Sequence, residues 1–152
     1  MVAAGTGADQ MLCADARAVE QVARTAFRAR FESTYRQYAA VRLGSQDAVE
    51  AVAEAVWAQI ERGWSGLLRC HSPAEGAWAL LARAVEDCPV RPRSPLDRLP
   101  RPAVDTFLLR HCLGLDPDRA AETMGVDVAV FESLYRCVVP RPGHGNPSGI
   151  FG

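Results

Sequence analysis

The sequence predicts an all-α fold of two small helical modules, a three-helix module and a helix-turn-helix, joined by a short proline-rich linker. Apolar residues recur at the three- and four-residue spacing of helices along most of the chain, and no stretch shows sustained strand alternation. Five prolines fall between Pro89 and Pro102, where a stiff extended connection is expected. The expected division is a flexible N-terminus at 1–13, a helical domain at 14–88, a Pro/Arg linker at 89–101, the helix-turn-helix domain at 102–139 and a disordered tail at 140–152.

The first helix is expected from Ala14 to Arg42, as one long amphipathic helix or two abutting ones, because Val19, Val22, Phe27, Phe31, Tyr35 and Tyr38 repeat at helical intervals. Leu43-Gly44 should close it, since glycine tolerates the left-handed conformation that ends helices. Ser45 or Asp47 is placed to cap a second helix carrying Val49, Val52, Val56, Trp57 and Ile60 on one side. Gly63 and Gly66 then suggest a loop to about Ser72. Ser72-Pro73-Ala74-Glu75 reads as a helix start, with serine as N-cap and proline at the first helical position. The third helix runs through Trp78, Leu81 and Val85 and should stop before Pro89. After the linker, helical segments are expected at Pro102–Leu113, Pro117–Met124 and Val128–Val138.

The last two segments carry the strongest local pattern. Ala120-Ala121 places small residues on a short helix, and Gly125 follows in the position of a tight turn. A helix-turn-helix needs both, one for close helix crossing and the other for the turn. Its expected core is Ala121, Met124, Gly125, Val126, Phe131 and Leu134.

Composition excludes several function classes. With 49% hydrophobic and 23% charged residues in 152, the chain has enough apolar material for a core. No apolar run approaches the roughly 18 residues of a membrane span, and Met1–Gln10 lacks the basic and apolar blocks of a secretory signal. All 17 basic residues are arginine. The five cysteines are scattered with no Cys-x-x-Cys pair, so small buried thiols in a reducing cytoplasm are expected, with neither disulfide nor metal. His71, His111 and His144 are isolated, and there is no glycine-rich phosphate loop. No enzyme activity, cofactor or small-molecule substrate is expected.

Leu96-Asp97-Arg98-Leu99-Pro100, then Phe107-Leu108-Leu109-Arg110, Gly114-Leu115 and the Ala-Ala-Glu-x-Met-Gly-Val run at 120–126 resemble region 4 of bacterial sigma factors of the extracytoplasmic-function type. Phe31-Glu32-x-x-Tyr35-x-x-Tyr38, Gly44-x-x-Asp47-Ala48, Glu50, Glu54, Trp57, Trp64 and Trp78 resemble sigma region 2. The resemblance implies a transcription regulator whose partners are bacterial core RNA polymerase, an anti-sigma factor or another regulatory protein. It implies a polymerase- or partner-binding face at Asp47, Glu50, Glu54 and Trp57. It also implies candidate DNA contacts at Arg83, Arg91, Arg93, Arg119, Ser133 and Arg136.

Departures from the family pattern point to a divergent or degenerate form. Where the family carries an asparagine and a basic run after the third helix, this chain has Ala84, Glu86 and Asp87. In the recognition helix the family's lysine is Glu132 and its arginine Leu134. Residues 1–88 hold nine arginines and eleven acids, 89–99 three arginines and one acid, and 100–139 four arginines and six acids, so both modules are net −2 around a +2 linker. A groove-binding module is normally basic, because phosphate neutralisation supplies much of its affinity. A dozen linker residues reach about 35–40 Å when fully extended, a strained span for reading two separated promoter elements. The expectation is a sigma-like regulator that keeps a protein-binding face and has weakened promoter recognition. The alternatives are an orthodox sigma factor and a helical adaptor or anti-sigma decoy that does not bind polymerase.

Overall fold

The computed structural model describes residues 6–139, and among these the secondary structure is all helical. Seven helices follow one another: α1 (Thr6–Leu43), α2 (Gln46–Arg62), α3 (Trp64–Arg69), α4 (Pro73–Glu86), α5 (Arg101–Phe107), α6 (Pro117–Met124) and α7 (Val128–Arg136). The expected disordered tail at 140–152 lies outside the described residues, as do Met1–Gly5.

Helix α1 starts at Thr6, inside the stretch expected to be flexible, and continues unbroken to Leu43. Gly44, with φ +68°, ends it in the left-handed region. Of the two possible caps for α2, Ser45 is used: its backbone is extended and its side chain accepts from the Ala48 N–H at 3.4 Å. Ser72 caps α4 in the same way, accepting from the Glu75 N–H at 3.2 Å, with Pro73 at the first turn.

Two segments differ from expectation. The glycine-bounded loop at 63–72 contains α3, which buries Trp64 and Leu67. Gly63 sits at φ −97°, which does not force the chain out of a helix. The helix expected over Pro102–Leu113 is α-helical only to Phe107 and widens to a π turn over Leu108–Cys112, with the Leu113 N–H bonding the Leu108 carbonyl.

The connection at 87–100 holds a short 3₁₀ turn, Pro95–Arg98, closed by a reciprocal cap between Ser94 and Asp97. It is fastened along its length. Arg91 bonds Asp97 at 2.8 Å and Glu86 at 3.3 Å, and Arg42 of α1 bonds Glu86 at 2.9 Å. The side chains of Arg42 and Arg91 are only 7% and 14% exposed, so the cluster pins the connection to the ends of α1 and α4.

One hydrophobic core runs through both halves of the chain. It joins Tyr35, Tyr38, Trp57 and Trp78 from the first half to Val104, Leu109, Ala121 and Phe131 from the second. Buried side chains of this size each contribute about 1.5–3 kcal/mol relative to exposure, so the halves support each other's packing.

Candidate functional site

The acidic face of α2 follows from helical spacing. Asp47, Glu50 and Glu54 stand three and four residues apart, opposite the buried side of Val49, Val52, Ala53, Val56, Trp57 and Ile60. Asp47 and Glu54 are exposed. Glu50 is half-buried and engaged, accepting from Arg36 Nη1 at 2.6 Å and from Gln46 Nε2 at 2.9 Å. Trp57 does not belong to this face. It is 3% exposed, stacks on Tyr35 with ring centroids 5.4 Å apart and is covered by Arg28, so its aromatic surface is spent in the core.

The arginines expected to contact DNA have different fates. Arg83 is exposed beside Asp87 at 3.7 Å, and Arg93, Ser133 and Arg136 are also exposed. Arg91 is removed from the set by the cluster that pins the connection. Arg119 is removed as well: it bonds Glu122 at 2.9 Å, donates to the Arg30 carbonyl at 2.6 Å and lies over the Phe31 ring. A guanidinium holding a carboxylate, a carbonyl and an aromatic face has little capacity left for a phosphate. Arg110 donates to the Leu115 carbonyl at 2.7 Å and lies over Tyr135.

The residues expected in a helix-turn-helix core fall on α6, α7 and the turn between them. Ala121, Met124 and Phe131 are buried, while Val126 and Leu134 are half-buried. Asp116 caps α6 by accepting from the Arg119 N–H at 2.8 Å. Gly125 takes φ +70° at the C-terminus of α6, and an added Cβ there would stand 2.0 Å from the Glu75 nitrogen. The turn therefore presses backbone to backbone on the first turn of α4.

Three further contacts hold α5 and α6 on the first half. Asp105 of α5 is 2% exposed and accepts from Tyr38 Oη of α1 at 2.6 Å and from Trp78 Nε1 of α4 at 3.1 Å. Burial raises the carboxyl pKa above its ordinary value despite these two donors. Arg30 of α1 grips Glu122 of α6 through two hydrogen bonds at 3.0 and 2.8 Å, and that bonding lowers the Glu122 pKa. Arg119 completes the seam at the Arg30 carbonyl. Beside it, Trp78, Ala82, Asp105, Met124, Val126 and Leu134 line a narrow cleft of about 140 Å³.

Sequence reasoning missed this seam, although one signal was present. Asp105 lies three and four residues before Leu108 and Leu109, on the apolar side of its helix, where a carboxylate needs buried donors. The expectation of buried thiols is also corrected. Cys13, Cys70, Cys112 and Cys137 are exposed and Cys88 is half-buried. The Cys70 and Cys137 thiols bond carbonyls four residues back on outer helix faces, at Gly66 and Ser133. Among the described residues, no group of three or more His, Cys, Asp or Glu is placed to hold a metal ion, and no helix is long and apolar enough to cross a membrane.

No family model, curated protein or solved structure matches the chain.

Proposed function

We propose that this chain is a sigma-like transcription regulator that acts in the cytoplasm through protein contacts, with weakened promoter-DNA recognition. The observation that carries this reading is the docking of α6 on α1 and α4, which engages Arg119 and Arg30 in contacts within the molecule. The exposed start of α7 then offers Val128, Ala129 and Val130, an apolar surface suited to a protein and poor for phosphate. On α2, Asp47 and Glu54 offer carboxylates to a basic partner surface such as core RNA polymerase or an anti-sigma factor. The role is non-catalytic.

The test is pull-down and run-off transcription with purified core polymerase. The expected result is recovery of polymerase without specific initiation, with recovery lost on Asp47→Arg plus Glu54→Arg. Specific initiation from a promoter near the chain's own gene would instead make it an orthodox sigma factor. Equal recovery of the double variant would sink the α2 face.

A second reading, an adaptor or anti-sigma decoy that leaves polymerase alone, is favoured by one observation. Glu50 is already neutralised by Arg36, leaving only Asp47 and Glu54 of the three carboxylates without that contact. Binding to an anti-sigma factor with no recovery of polymerase selects this reading.

A further inference from the structure

Helix α1 is about 57 Å long at about 1.5 Å per residue, and only its later part packs on the body. Every residue from Gly7 to Val19 is exposed, and packing against the core begins at Ala23 and Phe27. The protruding arm is not polar throughout. Leu12, Ala16, Val19 and Ala26 are exposed and share one side of the helix, offset from the side that carries Phe31, Tyr35 and Tyr38 into the core. Met11 and Val22 widen that apolar line on one flank, and Met11, Leu12, Val19 and Val22 are 67–72% exposed. A helical arm with so much apolar surface in water lacks the packing from which most helical stability comes.

We infer that the arm pairs antiparallel with the arm of a second copy of this chain. The two flanks of the apolar line select both orientation and register. One flank is polar, with Asp9, Glu20 and Arg24, and the other is apolar, with Met11, Ala18 and Val22, interrupted by Asp15. A two-fold antiparallel pair brings each flank against its own kind, whereas a parallel pair, in register by symmetry, sets Glu20 on the side of the partner's Val22. With Leu12 near the partner's Val22, Asp9 falls close to the partner's Arg24 and Met11 also meets the apolar flank, each contact made twice by symmetry. Arg24 Nη2 donates to Gln21 Oε1 one turn back, and its Nε is screened from solvent without a hydrogen-bond partner within the described residues. In this register the overlap spans roughly residues 8–26, about 28 Å. Such a pair buries on the order of 1,000 Å², the lower end of specific interfaces, which corresponds to a dimer that dissociates on dilution.

Sedimentation equilibrium of the full chain from low to high micromolar concentration tests the pairing. The expected wild-type mass rises from one copy to two, while Leu12→Glu plus Val19→Glu stays at one copy with the body's thermal unfolding unchanged. For the register, Asp9→Arg weakens association several-fold and Asp9→Arg plus Arg24→Asp restores it. A wild type that stays monomeric throughout would overturn the proposal and leave the arm to a different protein. A dimer that survives Leu12→Glu plus Val19→Glu would overturn it too, because the interface would then lie elsewhere.

Discussion

Asp105 concentrates the chemistry of the fold in one side chain, because it accepts from α1 and α4 while standing on α5. Asp105→Ala strands the Tyr38 hydroxyl and the Trp78 indole N–H in the core. A loss of about 2–4 kcal/mol is expected, from two buried donors at about 1–3 kcal/mol each with partial relaxation, and denaturant unfolding measures it. The pH dependence has a definite sign. Burial raises the folded pKa above the unfolded value near 3.8, so the folded state binds the proton more tightly. The resulting stabilisation is full below the unfolded pKa and is lost as pH rises through the folded one. Asp105→Asn can accept from Trp78 and donate to Tyr38 without a charge. Its stability relative to wild type should therefore increase from acid to neutral pH, and a flat difference would reject the assignment. Glu32 and Glu122 act in the opposite direction. Their pKa values are lowered chiefly by hydrogen bonds from Arg28 and Arg30, so their contribution is present above the unfolded pKa and lost on acidification. Gly125 is the other decisive residue. Gly125→Ala faces both a left-handed backbone and the Glu75 nitrogen, so its cost should exceed the roughly 1 kcal/mol of an ordinary left-handed position.

Helix α1 divides by environment into two parts. Its later turns bury Phe31, Thr34, Tyr35, Tyr38, Ala39 and Leu43, while Gly7–Val19 is exposed throughout. Amide hydrogen exchange should be slow from Phe31 to Leu43 and faster by orders of magnitude before Val19 in dilute monomer, since exposed helix opens locally at low cost. Helix α7 shows how a side can be legible while its use is not. Phe131, expected in the core, is buried, and Ser133, which the resemblance implied as a DNA contact, is exposed. The widening to a π turn after Phe107 had no such signal, because the added residue shifts the register without changing which residue types are apolar. Helix α3 was hidden for a related reason. Glycines on both sides of Ser65 suggested a loop, but burial of Trp64 and Leu67 outweighs a weak local preference.

At the scale of the molecule, the shared core and the fastened connection make the two halves one unit. Heat or denaturant should unfold the chain in a single transition, with near-ultraviolet and far-ultraviolet signals coincident. A fragment ending at Arg93 exposes the surfaces of Tyr38 and Trp78 that α5 and α6 help to cover, and it should lose cooperative unfolding. A fragment that melts as sharply as the full chain would mean that the seam contributes little. The same seam ties the second half down: α5 and α6, held through Asp105, Arg30 and the Gly125–Glu75 approach, are packed on the first half.

The all-helical class, the capping serine at Ser72, the α6–α7 turn and most inward-facing residues were determined by the sequence alone, because caps, turns and amphipathic spacing are short-range properties of neighbouring residues. Which arginines remain available, that Trp57 is core rather than surface, and that two apparent modules share one interior were decided only by the tertiary structure. Those outcomes depend on contacts between residues as distant as Arg30 and Glu122 or Tyr38 and Asp105. No local pattern encodes which carboxylate a given guanidinium will meet.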